Sequence, residues 1–584
     1  MILTYTTHMN TSFHSPTGLF TGLFLSLSIT ACSTLTPSSQ TEPSELDLLY
    51  SYTETITVDM LEGHLYELAD DKYMGRDTGT EGERMAAAYL ISQYEAMGLP
   101  PVNDEMGYLQ PFSLNANVIN SRHFHVHPSN MGEEESHDMS QATHITKIEP
   151  QSVEGAGFSM VYGGAQNASG EIVFAGFGVQ DADQGFAQLD GVDLEGKWVM
   201  VFNEIPYEVD GEALVKPTYT SNIRYGNILS QRGAAGILLI SDKDLETFEA
   251  EVEESAELLD KPRNLRLAYR DTENFTGFPQ VIASVRKDVA EQILGSSVDA
   301  LREEILADMA AFTPTETGQS LMYMIDREDV EVISNNVMAF LEGSDPELKD
   351  EVVVITSHYD HIGISLPDST GDRINNGADD DGSGTVAVLS AASAFAKAAE
   401  QGVRPRRSIL FMHVSGEEKG LLGSRFYSDH PVFPVENHIA NINADMIGRS
   451  DEAHLSQGVT DYFYLIGGPI ISSGLDSLVT VANEKTANLL IDYAYNDLDD
   501  PNQFYRRSDH WNFGRLGIPF SFFFTGVHED YHQPSDEADK INYPKLTAIT
   551  QVLFGSANEL ANIENRPVVD NQAFIERTRQ MPRN

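Results

Sequence analysis

Residues 352–400 read VVVITSHYDHIGISLPDSTGDRINNGADDDGSGTVAVLSAASAFAKAAE, and this stretch decides the fold. It opens on a near-continuous apolar run, Val352 to Ser357, breaks into a turn-rich polar segment, and closes on an alanine-rich run, Thr385 to Glu400. A buried strand feeding a helix is the building unit of a parallel sheet. Between the two lies NGADDDGSGT, residues 376–385, with three carboxylates set among glycines. A short aspartate run taken alone reads as a solvated acidic loop, so the rest of the chain has to overturn that reading.

The same alternation continues downstream. Strand Ser408 to Val414 leads to helix Gly420 to Ser428, strand Ile439 to Met446 follows, PFSFFFT at 519–525 reads as another buried strand, and a helix spans Tyr543 to Asn562. These elements predict an α/β fold, a mostly parallel mixed sheet with helices on both faces. Upstream, Ile56, Met60, Leu61, Leu65 and Leu68 recur at helical spacing, and a second helix runs from Glu81 to Met97 with Gly98 as its stop. The connector between them is GRDTGTEG, residues 75–82. From about Gly170 to Val285 the texture changes to short β-type runs (EIVFAGFGV, KWVMVF, GAAGILLIS, PQVIASV), which predicts an inserted, mainly β module. The expected organisation is a signal segment at 1–31, a tether at 32–52, a main domain split into 53–145 and 316–566, the insert at 146–315, and a polar tail at 567–584.

Of 584 residues, 41% are apolar and 22% charged, which suits a folded protein of more than one domain. Lys and Arg number 37 against 89 Asp and Glu, a formal net charge of −52. That surface excludes electrostatic binding of nucleic acid or of anionic lipid headgroups. Leu19 to Ala31, LFTGLFLSLSITA, is too short to span a bilayer and has the build of a secretory apolar segment ending in small residues before Cys32. Cys32 is the chain's one cysteine, so no disulfide framework exists. The segment resembles a bacterial lipoprotein signal with Ile29 to Cys32 as its lipobox, although only His8 and His14, and no Lys or Arg, precede the apolar run. The resemblance implies export and a lipid anchor at Cys32 as the sole link to a membrane, with the protein in the cell envelope, outer-membrane, periplasmic or extracellular.

In open α/β sheets ligands gather beyond the carboxyl ends of the strands. His358 and Asp360 end one strand, Glu417 and Glu418 follow ILFMHVSG, Asp445 ends NINAD, His532 follows PFSFFFTG in EDYHQPSD, and Asp380 lies in the glycine loop. Each alone is an ordinary cap or polar contact. Together, carboxylates at one sheet edge repel unless cations neutralise them. Two imidazoles among the oxygens, with no thiolate, favour zinc or a similar divalent metal.

The motifs HYDHIG, NGADDDGSG, SGEEKGLLGS, NINADMIGR, RSDHW and DYHQPSD, in this order, resemble the co-catalytic dizinc aminopeptidase family, which includes glutamate carboxypeptidase and the non-catalytic transferrin receptor ectodomain. The middle module looks like the protease-associated domain often inserted in such enzymes. The resemblance implies two Zn2+ per chain with Asp380 bridging them, His358 and Asp445 completing one site, and Glu418 and His532 the other. It implies Glu417 as general base, Asp360 as the group orienting the His358 imidazole, and a peptide substrate hydrolysed from its N-terminus. Tyr531 is a candidate donor to the reacting oxyanion. Asp379 and Asp381 fall to capping the following helix or fixing the loop. A carboxypeptidase is the alternative and would recruit cations from Arg425, Arg449, Arg506 and Arg507. A glutaminyl-cyclase-like acyltransferase working with one zinc, and a non-catalytic binding protein, stand further off.

Overall fold

Strand Val352–His358 is buried at all seven residues, as its β-branched run requires, and pairs in parallel with Ser408–Val414 on one side and His438–Ala444 on the other. Phe520–Phe524 adds in parallel beyond His438–Ala444, and Tyr462–Ile466 then turns antiparallel. These strands form the mixed, mostly parallel sheet expected of the metal-bearing half. The computed structural model describes residues 45–130, 142–209, 212–216, 218–270 and 280–579. The expected signal segment and Cys32 lie outside them. Among the described residues, no helix is long and apolar enough to cross a membrane.

Helix Gly384–Glu400 packs on one face of the sheet and is buried almost all round, which its alanine-rich sequence permits without a polar stripe. Over it lies Tyr543–Asn562, with Val58–Leu68 and Glu81–Met97 completing the layer. Leu389, Phe395, Leu553 and Phe554 meet there, fully buried, each worth about 1.5–3 kcal/mol relative to exposure. Gly98 ends the second helix at φ 70, as read from the sequence.

Two long strands, Leu109–Pro128 and Thr315–Leu341, pair antiparallel from Leu109↔Val337 to Pro128↔Gln319. One end of the pair belongs to the metal-bearing half, where Val337–Leu341 joins Ser408–Val414. The other end belongs to the module, where Thr315–Tyr323 joins Ala168–Phe174. The insert is therefore wider than 146–315. Ile119, Phe124, Val126, Leu321 and Tyr323 pack into its core, because a continuous ribbon carries one hydrogen-bonded sheet from one half into the other. Inside the module, Ala168–Phe174, Trp198–Phe202, Gly236–Ile240 and Val281–Val285 run parallel. Helices Leu245–Ala256, Lys287–Leu294 and Val298–Ala307 accompany them, so it carries more helix than a mainly β insert.

Two boundaries are corrected at the ends. Within the stretch 32–52 expected to be a tether, Glu45–Tyr50 is helical, Leu49 is fully buried and Tyr50 donates to Glu559 at 2.8 Å. The tail 567–584 contains helix Gln572–Arg579, whose Phe574 is buried against Trp511 and Phe520.

Candidate metal and catalytic site

The three aspartates of the glycine loop are all buried and do different work. Asp381 accepts from the main-chain N–H of His358 (3.0 Å), Gly384 (2.9 Å) and Met446 (3.3 Å), tying two strand ends to the start of the buried helix. Asp379 accepts from Gly448 N at 2.6 Å and lies 3.2 Å from His528 Nε2. Only the middle carboxylate faces the other candidates. The Asp380–Asp381 peptide is cis. Gly377, at φ 53, has no room for a side chain, since a Cβ would stand 2.2 Å from Asp380 O and 2.5 Å from the His361 ring. Asp536 accepts from Asp379 N (3.0 Å) and Asp380 N (3.1 Å).

Around Asp380 two clusters form. His358 Nε2 lies 3.2 Å from Asp380 Oδ1 and 3.8 Å from Asp445 Oδ1. His532 Nε2 lies 3.2 Å from both Asp380 Oδ2 and Glu418 Oε2. The strand carrying Asp445 ends at Ala444, two residues short of the expected end, because Met446 turns away at φ 52; His532 sits at φ 57. Positive φ at such side chains costs energy that the surrounding packing must hold, and it is frequent where a group is aimed at a site.

His358 Nε2, His361 Nδ1, His532 Nε2 and Glu418 Oε1 are buried, and the imidazole–carboxylate contacts among them, such as His361 Nδ1 to Glu418 Oε1 at 2.7 Å, are not aligned as hydrogen bonds. Burial alone lowers the His532 imidazole, but Asp380 and Glu418 outweigh it and lift it to about 10. Burial and Asp380 push Glu418 up, yet His361 and His532 hold it down at about 2. Without a cation, the imidazoles and carboxylates of the site are held in their charged forms by one another. Buried imidazole nitrogens and carboxylate oxygens converging on one shared carboxylate fit a divalent metal.

His358 Nδ1 donates to the main-chain carbonyl of Asp360 at 3.0 Å, which leaves Nε2 free to bind metal. The Asp360 carboxylate stands 3.7 Å from the same nitrogen. The expected orienting contact is therefore made by the backbone, and the carboxylate instead accepts from Thr78 Oγ1 (2.8 Å) and Glu417 N (3.2 Å). Burial raises the Glu417 carboxyl well above the ordinary range; His358 opposes, and Glu418, Asp509 and Asp445 reinforce the rise. Glu417, Asp380 and Asp445 line a pocket walled by Met446, Phe504, Phe522, Phe524 and Tyr531. Tyr531 stacks on His532 at 3.8 Å, and burial raises its phenol, so the hydroxyl stays protonated.

Three groups were missed. His361, the second histidine of HYDHIG, places Nδ1 2.7 Å from Glu418 Oε1 and 3.8 Å from Asp380 Oδ2, inside the second cluster. Asp509 of RSDHW is fully buried, and burial lifts its carboxyl to about 7. Arg76, at φ 49 in the GRDTGTEG connector, is buried and donates to Tyr359 O (2.8 Å), Leu68 O (2.9 Å), Asn376 O (2.6 Å) and Gly377 O (3.0 Å). It clamps the glycine loop to the end of the His358 strand. The motifs themselves were the signal for the first two, but a loop position gives no facing direction.

Residues 336–557 match the sequence family described as peptidase family M28. A probable leucine aminopeptidase of Arthroderma otae is 29% identical over 221 residues, covering 37% of this chain and 56% of that protein. This chain spans between 56% and 64% of the length of the first three curated relatives it matches. Among solved structures, the aminopeptidase from Aneurinibacillus sp. strain AM-1 has a TM-score of 0.51 at 18% identity, covering 89% of this chain and 98% of that one. A zinc aminopeptidase from Bacillus subtilis has a TM-score of 0.50 at 16% identity, covering 87% and 96%. At these identities the two structures establish a shared fold that takes in the module as well as the metal-bearing half.

Proposed function

We propose, from the match of residues 336–557 to peptidase family M28, that the chain is a zinc-dependent aminopeptidase that removes N-terminal residues from peptides. The observation that carries the reading is Asp380, shared between two histidine–carboxylate clusters, with Glu417 beside it in the same pocket. His358, Asp380 and Asp445 would hold one zinc, and Asp380, Glu418 and His532 the other, with His361 alongside. Zinc bound there supplies Lewis acidity toward water and the scissile carbonyl.

Glu417 takes a proton from the attacking water and returns it to the leaving amine. Its raised basicity suits that exchange, whereas Glu418 is committed to the second cluster. Tyr531, held protonated, donates toward the developing oxyanion. The aromatic wall of Phe504, Phe522 and Phe524 with Met446 receives an apolar N-terminal side chain, and the surplus carboxylates attract the free α-ammonium. A carboxypeptidase needs a cation for the substrate carboxylate. Arg425 is paired with Asp429 and Arg449 with Asp530, while Arg507 lines the pocket and stacks over Phe504.

Hydrolysis of leucine arylamide and of N-acetylated peptides, with and without chelator, tests the reading. Cleavage of the free-amine substrate only, lost on chelation and restored by zinc, supports it. Cleavage of N-blocked peptides from their carboxyl end would replace it with the Arg507-centred alternative. Export with lipid attachment at Cys32 belongs to the same proposal: Cys32→Ala should leave the protein out of the detergent phase, and a wild type outside that phase would refute it.

A further inference from the structure

On the long strand Leu109–Pro128 the stretch HFHVH, residues 123–127, alternates histidine with Phe124 and Val126. A pleated strand sorts such an alternation onto two faces. Phe124 and Val126 enter the core of the module with Leu321 and Tyr323 of the partner strand Thr315–Leu341. The histidines take the other face. There the antiparallel register sets Met324 directly opposite His123, and Met322 directly opposite His125. Directly opposed residues share a face, with Cβ atoms about 4.5–5.5 Å apart, so two imidazoles and two thioethers stand within reach of one ion.

This group is sheltered, and its nitrogens are unsatisfied. His125 is 2% exposed and Met322 7%. His125 Nε2 and His123 Nδ1 are buried and have no hydrogen-bond partner among the described residues. His123 Nε2 lies 3.0 Å from Ser121 Oγ, so a proton donated there leaves the orphaned Nδ1 as the nitrogen with the lone pair. The two rings lie 5.9 Å apart at 89° to each other. Buried imidazoles that serve packing alone have their polar atoms paired, and unpaired ones call for an explanation. Burial lowers both imidazoles, helped by Lys147 at His123 and by the neighbouring histidines at His125, which favours the neutral form that binds metal. Lys147 itself, opposite His123 on strand His144–Glu149, is bridged to Glu149 at 2.7 Å.

The donor set differs in kind from that around Asp380. Zinc sites use imidazole, thiolate and carboxylate, whereas thioethers are soft ligands that select Cu(I). All four side chains are neutral ligands, which suits a monovalent ion. The group also stands at the module end of the ribbon, where Met322 pairs on its far side with Ser169, and it shares no residue with the two histidine–carboxylate clusters.

We propose that His123, His125, Met322 and Met324 form a Cu(I) site separate from the zinc centre. The site does not depend on the peptidase reading. The full chain carrying Cys32→Ala, which removes its one thiol, is loaded with zinc and titrated anaerobically with Cu(I) against bathocuproine disulfonate. Copper X-ray absorption is then recorded on the complex. The expected result is one Cu(I) per chain withheld from the chelator, unchanged zinc content, and both sulfur and nitrogen scatterers around copper. Met322→Leu/Met324→Leu, which nearly conserves volume, should remove the sulfur scattering and weaken binding at least about tenfold. Copper left wholly to the chelator, copper bound without sulfur, or copper gained at the expense of zinc each overturns the proposal with the four ligands intact, whatever the variant's folding. Unchanged Cu(I) affinity in the double leucine variant overturns it as well.

Discussion

Oδ1 of Asp360 accepts the main-chain N–H of Glu417 at 3.2 Å, joining the end of the His358 strand to the residue proposed as general base. Thr78, from the connector near the N-terminus, donates to the other oxygen at 2.8 Å. Asp360 thus positions Glu417 as well as lying near His358. Asp360→Ala should lower kcat about 10–100-fold with zinc content retained, the usual range for groups supporting a metal site. Asp360→Asn keeps an acceptor for Glu417 N and should recover most of that loss. A zinc deficit in the alanine variant would make Asp360 a ligand instead.

Glu417→Gln keeps the side chain's shape and removes its ability to take a proton. Turnover should fall by about 10^2–10^4, the range for general-base catalysis, while two zincs remain bound. Metal lost together with activity would place Glu417 in the coordination set.

Asp379→Asn and Asp381→Asn should keep their metal and lose stability. Each native carboxylate is buried and accepts main-chain N–H groups, and an amide turned the wrong way leaves buried donors unpaired, at about 1–3 kcal/mol each. Asp381, which binds three such groups, should be the more damaging, and urea denaturation measures the order. The sequence alone placed these two in helix capping or loop fixing; their burial makes the effect larger than that of a charge at an exposed helix start.

Much of this was legible beforehand. Strands with β-branched runs, such as Val352–His358, and helices with clean periodicity, such as Tyr543–Asn562, came out within a residue or two, because local pattern and burial agree there. The strand-end residues met as expected, since a parallel sheet gathers them at one edge. What stayed hidden depends on contacts far apart in sequence. Thr78 reaches Asp360 across 282 positions, Arg76 clamps Gly377 across 301, and His361 gains meaning only from Glu418. The ribbon of Leu109–Pro128 and Thr315–Leu341 was missed because its alternating polar residues carry no mark of which half each end serves.

His413 and His510 are fully buried, and burial lowers both imidazoles to about 3. The unfolded chain protonates them near 6.5, so between pH 6.5 and 3 it binds more protons than the folded one. Their contribution to stability is complete above pH 6.5 and is lost as pH falls through that window, by up to about 1.4 kcal/mol per unit for each group. His510→Gln, neutral throughout, should show a shallower fall in urea-measured stability between pH 7 and pH 5. An unchanged slope would mean His510 is already protonated in the fold.

The most direct measurement is the zinc stoichiometry of the wild type beside that of Asp380→Ala, by elemental analysis after removal of loosely bound metal. If Asp380 is the carboxylate both clusters share, the wild type holds two zincs per chain and the variant, left with His358 and Asp445 on one side and Glu418 and His532 on the other, loses both together with arylamide hydrolysis. A wild type holding one zinc, or an Asp380→Ala variant that keeps two, would contradict the account.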